Sequence, residues 1–310
     1  MDHLAPHGFL EVSFDLLVIR SWDGSVEMRG THPSALGPDF FKLTLREGAT
    51  LLFTTFSNRP DDPGFDPQGK FQNFPSPVAG DHLAPQTGAA GKNSLGYNYP
   101  WPNAPQAFPM DASYRIHLVV PHNSPQAVLQ FTGLGLQNVI DESWGVTNLE
   151  VQPLTIEKVK SPDANEIAAA FGDAISTESD KQQEAFVTLG LGMDATVDWI
   201  RANVTPQPLD ADRVAELIKL LAADDSNIPG REDAATELRG MGPALEPFLR
   251  DARNHSRGEQ RVRIDWLLES IGVTSIDDEN LRKLSLATRV LEIIGTPKAM
   301  ELRRSLTTSP

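Results

Sequence analysis

Four oxygen-bearing side chains stand at strand ends or beside glycine in this sequence: Asp23 in SWDG (21–24), Asp39 in GPD (37–39), Asn58 after TTFS, and Asp141 in DESWG (141–145). Hard cations such as Ca²⁺ collect about six to eight oxygens at about 2.3–2.6 Å, from carboxylates, amide oxygens and backbone carbonyls. Asp and Asn next to Gly suit that demand, because glycine lets a backbone carbonyl turn inward. If the first and last strands lie side by side, Asp23, Asp39 and Asp141 converge, with Asn58 as a fourth donor. Asp141 and Glu142 then sit at a rim, where they either accept backbone amides or hold a cation. The alternative is plain turn chemistry, with each Asp bonding its own backbone. No dense D-x-D-x-D-G loop is present.

A second group is aromatic. Tyr97, Tyr99 and Trp101 crowd into GYNYPWP (96–102), and Trp22 precedes Asp23. Flat sugar faces pack on such rings while Asn93, Asn98 and Asn103 are near enough in sequence to reach hydroxyls. A long loop also needs apolar anchors of its own, so the same residues fit a packing role.

Other chemistry finds little footing. The chain has no Cys, which removes disulfides, thiolate metal sites and cysteine catalysis. It contains no H-E-x-x-H, no G-x-S-x-G and no phosphate loop. Paired carboxylates suit a glycosidase, but any acidic chain offers such pairs. The formal net charge of −15 repels phosphate backbones, so nucleic acid is not an expected partner. No run approaches the ~18 consecutive apolar residues of a membrane span. The opening MDHLAPHGF shows no secretory signal.

The elements that must position these groups follow two grammars. Seventeen of the 22 Phe, Trp and Tyr residues lie before residue 154. There, Leu10, Val12, Phe14, Leu16 and Val18 alternate with their neighbours, the period of a strand with one apolar face. Further strands are expected at 40–46, 50–56, 113–120, 127–133 and 146–153, with Trp144 plugging the end of the core and Gly145 turning the chain into the last strand. Between residues 57 and 111 the alternation stops in a Pro-, Gly- and Asn-rich stretch. After residue 153 the apolar spacing becomes helical, with helices expected at 163–176, 181–191, 195–203, 211–223, 231–241, 244–253, 259–271, 280–294 and 297–306. Residues 183–202 resemble residues 232–251 at a shift of 49, with Ala185 on Ala234, Leu189 on Leu238 and Trp199 on Phe248. The expected architecture is therefore a two-domain chain, all-β then all-α. An antiparallel β-sandwich of jelly-roll type spans 1–154, and α-helical hairpin repeats span 155–310.

Two resemblances bear on these halves. The units at 183–202 and 232–251, with RVLEIIGTPKAM (289–300), resemble HEAT-like repeats. The segments HGFLEVSFDLLVIRSWDG (7–24), GPDFFKLTL (37–45), TTFSN (54–58) and DESWGVTNLEV (141–151) resemble a bacterial galactose-binding-like, carbohydrate-binding β-sandwich domain. Thr147 departs from the Asp usual in that pattern. The resemblance implies a structural Ca²⁺, a carbohydrate or cell-surface ligand and an extracytoplasmic location. It also implies a further strand ahead of residue 7, as in an amino-terminally shortened chain. The expected function is a non-catalytic carbohydrate- or ligand-binding module joined to a helical scaffold with a protein partner. A pure protein-interaction scaffold without a sugar ligand and a glycan-cleaving enzyme are the competing readings.

Overall fold

The computed structural model describes residues 1–25, 38–45, 49–58, 71–78, 81, 83–99, 108–155, 157, 159–176, 179–204, 209–222, 228–270 and 279–307. The alternating segments form the strands β1 (Phe9–Arg20), β2 (Phe40–Leu45), β3 (Thr50–Thr55), β7 (Asp111–Pro121), β8 (Leu129–Leu134) and β9 (Glu142–Leu154). Three two-residue pieces, β4 (Gly91–Lys92), β5 (Asn98–Tyr99) and β6 (Phe108–Pro109), lie between β3 and β7. A four-stranded sheet runs β4-β7-β1-β9, a three-stranded sheet runs β3-β2-β8, and β5 pairs with β6. The first and last long strands do lie side by side, with Arg20 opposite Glu142 and Phe9 opposite Leu154.

Alternation puts Leu10, Val12, Phe14, Leu16 and Val18 of β1 on one buried face, beside Tyr114, Ile116 and Leu118 of β7. Phe41 and Leu43 of β2 are fully buried as well. The two faces meet through aromatic rings. Phe14 stands edge-on to Phe131 at 5.3 Å, Trp144 edge-on to Phe41 at 5.4 Å, and Tyr114 packs on Phe56 at 4.5 Å.

The jelly-roll expectation is corrected. A jelly roll needs about eight strands in two full sheets; here the sheets have four and three strands, and β4 contributes only two residues to the larger one. The reason lies in the stretch between β3 and β7. Its described backbone is tied down mainly by buried side chains, with short pairings of β4 on β7, β5 on β6 and Gln72 on Leu83. Gln72 Oε1 accepts from the amides of Ser57 and Gln86 and from the Tyr114 hydroxyl, and its Nε2 donates to the carbonyls of Phe74 and Thr87. Asp111 accepts from the amides of Leu95 and Tyr97.

The helices are α1 (Ala164–Ile175), α2 (Ser179–Leu191), α3 (Met193–Asn203), α4 (Ala211–Leu220), α5 (Ile228–Gly240), α6 (Glu246–His255), α7 (Gly258–Ser270), α8 (Glu279–Ile294) and α9 (Pro297–Thr307). Asp163 starts α1 with a capping box, accepting from the amides of Asn165 and Glu166 while Glu166 accepts from the Asp163 amide. The HEAT-like array is corrected too. A solenoid repeat touches only its sequence neighbours, whereas α8 and α9 return to pack on α1, α2 and α3. The 49-residue likeness survives locally: Ala185 and Ala234, and Leu189 and Leu238, are buried in equivalent places. The helices form two groups. One, α4 to α7, has its own core around Val214, Leu217, Leu238 and Leu249. The other shares a single apolar cluster with the sheets, running from Phe14 and Tyr114 to Phe171, Leu189, Val197 and Leu291. The molecule is thus a mixed structure, with small antiparallel sheets in the first part of the chain and helices in the second. Among the described residues no helix is long and apolar enough to cross a membrane.

One ion pair ties these parts together. Arg282 of α8 grips both carboxylate oxygens of Asp81 and donates at 3.0 Å to the Ile175 carbonyl at the end of α1. Asp81 is 4% exposed and Arg282 17%. Without Arg282 the buried Asp81 keeps the Ser76 hydroxyl as a donor but loses its counter-charge. Arg282→Met is expected to lower unfolding stability by about 2–4 kcal/mol, read by urea denaturation; a change below about 0.5 kcal/mol, the scale of an ordinary surface substitution, would contradict this role.

Candidate metal centre

β1 ends at Arg20 with φ 67°, a left-handed kink that swings Ser21 to Gly24 across the end of the sheets. Ser21 is held by the Asp141 carbonyl and carboxylate. The Trp22 indole donates to the Ser143 carbonyl at 2.9 Å. The turn is then locked to the start of β2. The Asp39 amide donates to the Gly24 carbonyl at 3.1 Å, and the Asp23 amide donates back to Asp39 Oδ2. Gly24 has φ +69°, and a Cβ there would sit 2.2 Å from the Phe71 carbonyl oxygen, so no other residue fits. On the other side Glu142 opens β9, and its Oε2 accepts from the Gln137 amide.

These tethers gather Asp23, Asp39 and Glu142. One carboxylate oxygen from each lies within 4.8 Å of the others. All three residues are buried, at 2%, 0% and 3% exposure. Asp39 Oδ1 and Glu142 Oε1 have no hydrogen-bond partner among the described residues. Each of these two carboxylates therefore has one oxygen tied to a backbone amide and one without a donor among those residues. Burial, then the neighbouring charges of Glu142, Asp23 and Asp141, pushes the Asp39 carboxyl up to about 9 against the pull of the Asp23 amide. Burial raises Glu142 to about 7, opposed by the Gln137 amide and aided by Asp23 and Asp141.

Opposite ligands on an ion with bonds of about 2.3–2.6 Å stand about 4.6–5.2 Å apart. The limit of 4.8 Å on the oxygens falls within that span. The donors are all oxygen, the preference of Ca²⁺ and Mg²⁺ and not of softer metals.

The structure sorts the four expected ligands. Asp23 and Asp39 are in the cluster. Asp141 is adjacent in charge, but its carboxylate accepts from the Ser21 hydroxyl and Glu142 takes its place. Asn58 is buried yet already committed: its amide nitrogen donates to the Val18 and Arg20 carbonyls at 3.0 Å, and its oxygen accepts from Gln86. Glu142 was readable from parity. It lies two residues before Trp144, so once Trp144 is assigned to the core, Glu142 faces the same side and Asp141 the other.

Of the four aromatic residues, Trp22 and Tyr97 have described side chains. Trp22 is fully enclosed, edge-on to Phe56 at 6.3 Å, with no face open to a sugar. Tyr97 is 42% exposed. Tyr99 contributes its backbone to β5, its side chain lies outside the described residues, and so does Trp101.

Comparison with protein-family models, with curated proteins and with solved structures finds no match to this chain.

The pH dependence follows from the raised carboxyls. Both bind protons more tightly when folded than when unfolded, so without a cation the stability they allow is fully present below about pH 4 and falls as pH rises through about 7 and then about 9. Cation-free protein is expected to lose melting temperature steadily from pH 5 to 9 beyond the background of a variant lacking the carboxyl. Asp39→Asn, which removes the most perturbed charge, is expected to flatten that slope and stabilise the cation-free protein at pH 8 by about 1–3 kcal/mol. An equally steep slope in the variant would contradict the assignment.

Proposed function

We propose that this chain is a non-catalytic binding protein whose β region is completed by a hard divalent cation, Ca²⁺ in the first place, held by Asp23, Asp39 and Glu142. The observation that carries this reading is the buried convergence of the Asp23, Asp39 and Glu142 carboxylates, in which Asp39 Oδ1 and Glu142 Oε1 have no hydrogen-bond donor among the described residues. Buried charge left uncompensated is costly, and a bound cation is a direct way to neutralise it. A divalent ion would offset two of the three carboxylates and supply the ligation that Oδ1 and Oε1 lack. Further oxygens would come from backbone carbonyls or water, as hard cations accept both.

The placement of the triad supports binding over bond cleavage. Glycosidase carboxylates flank a substrate cleft at about 5–5.5 Å or about 6.5–9.5 Å. Here they lie closer and at no more than 3% exposure, packed behind Trp22 and the start of β9. Such a site acts as a staple. It joins the end of β1, the start of β2 and the start of β9, three segments more than 100 residues apart in the chain at the extremes.

A ligand that binds only the folded state stabilises it by RT ln(1 + [L]/Kd), about 2.7 kcal/mol at one hundred times Kd. Millimolar Ca²⁺ is expected to raise the melting temperature by several degrees at pH 8 and much less at pH 5, where the carboxyls hold protons. Chelator should reverse the gain, and Asp39→Asn and Glu142→Gln should abolish it. Identical melts in Ca²⁺ and in chelator at pH 8 would overturn the reading.

A further inference from the structure

The outer face of the three-stranded sheet is not left to solvent. Alternation sends Lys42, Thr44, Phe53, Gln130 and Thr132 to the side opposite Phe41 and Leu43. Helices α6, α7, α8 and α9 stand over that face and enclose a cleft of about 750 Å³. This volume is in the range that holds a small organic ligand, about 300–1,000 Å³.

The charge inside the cleft is unlike that of the molecule. The chain carries a net −15, yet the lining holds five cations against three carboxylates. Each of those carboxylates is already occupied. Glu246 is paired with Arg250 at 2.8 Å and Arg303 at 3.1 Å, Glu292 lies 4.0 Å from Arg303, and Asp265 is gripped by Arg253. Among the described residues Lys42 has no carboxylate within ion-pair distance, and Arg289 has only the nearby charge of Glu292. Lys42 lies 5.8 Å from the Phe53 ring centre. Arg289 of α8 has its guanidinium 5.7 Å from the Phe186 ring and donates no hydrogen bond among the described residues, and its Nε is shut off from solvent.

A guanidinium is always charged and presents a planar fork matched to carboxylate, sulfate or phosphate. An Nε shut off from solvent without an acceptor among the described residues is unfavourable for folding alone. Burial also works against its charge, with only Glu292 nearby to favour it. The hydroxyls of Thr44 and Thr132, which form no hydrogen bond among the described residues, and the Thr288 hydroxyl, which donates to the Ser285 carbonyl and keeps acceptor capacity, line the same space. Phe53 supplies a ring.

We propose that the cleft between the three-stranded sheet and helices α6 to α9 binds a small hydroxyl-bearing oxyanion of the sugar-acid class, its anionic group held by Arg289 and Lys42. The inference deepens the reading of the chain as a binding protein, and its residues are separate from the buried triad. Hydroxyls of the ligand meet the threonines. Neutral sugars leave the two cations unpaired and are excluded.

Titration calorimetry of the full chain with D-glucuronate and with D-glucose, each in Ca²⁺ and in chelator, tests this. D-glucuronate is expected to bind with one site per chain and at least about tenfold more tightly than D-glucose. Arg289→Met should weaken it by about 10- to 100-fold, the worth of a charged hydrogen bond, while melting at or above the temperature of the parent. Arg289→Lys should recover part of the loss, and Lys42→Met should weaken binding without unfolding. Equal binding of the two sugars, no heat from D-glucuronate at millimolar concentration, or affinity unchanged in both Met variants would overturn the proposal. A missing Ca²⁺ response with glucuronate binding intact would refute the cation reading alone; a Ca²⁺ response without glucuronate binding would refute the cleft alone.

Discussion

Like charge held out of water is the constraint around which the β region is built. Asp23, Asp39 and Glu142 are enclosed together at the end of the two sheets. In isolation that arrangement opposes folding, since burial and mutual repulsion both disfavour ionised carboxylates. The surroundings force it regardless. The left-handed Arg20, the Gly24 turn pressed against the Phe71 carbonyl, and the reciprocal bonds between the 23–24 turn and Asp39 leave those side chains no other direction. Repulsion among buried carboxylates held in place by a fixed backbone is the pattern expected where a ligand completes a structure.

Much of the frame was legible from spacing. Strict alternation in 9–20 and 111–121 identifies strands buried on one face, and both formed as expected, as did β2, β3, β8 and β9 within a few residues. The failures have physical causes. Residues between β3 and β7 satisfy their backbone through Gln72, Gln86 and Asp111, a solution that carries no period and so no signal. The helical array failed because of α8. Leu284, Leu286, Ala287, Val290, Leu291, Ile293 and Ile294 are all buried over about half its circumference, and Ser285 and Thr288 are buried on the other half. A helix buried on both sides is a central helix, whereas a solenoid helix has one stripe. That distinction was present in LSLATRVLEII. Of the site, the convergence of Asp23 and Asp39 beside the paired first and last strands was readable. The exchange of Asp141 for Glu142 required strand parity, and the loss of Asn58 and Trp22 to packing required knowing what surrounds them.

The two proposed sites divide the protein's electrostatics between them. The acidic cluster lies at the end of the sheets, where β1, β2 and β9 meet. The cationic cleft lies on the outer face of β3-β2-β8 under helices that also carry the shared core. Each holds an excess of one sign among the described residues, and each matches a ligand of the opposite sign. The sheets share one apolar cluster with α8 and α9, which ties the cleft's floor to that part of its roof, while α6 and α7 belong to the separate core of α4 to α7.

Terbium luminescence measures the central claim most directly. Tb³⁺ replaces Ca²⁺ at oxygen sites, and Trp22 is the residue next to Asp23. Excitation of tryptophan is expected to give sensitised terbium emission that saturates at one ion per chain, is displaced by Ca²⁺ and is absent from Asp39→Asn. No sensitised emission at stoichiometric ion, or emission undiminished in Asp39→Asn, would contradict a cation at the buried carboxylates.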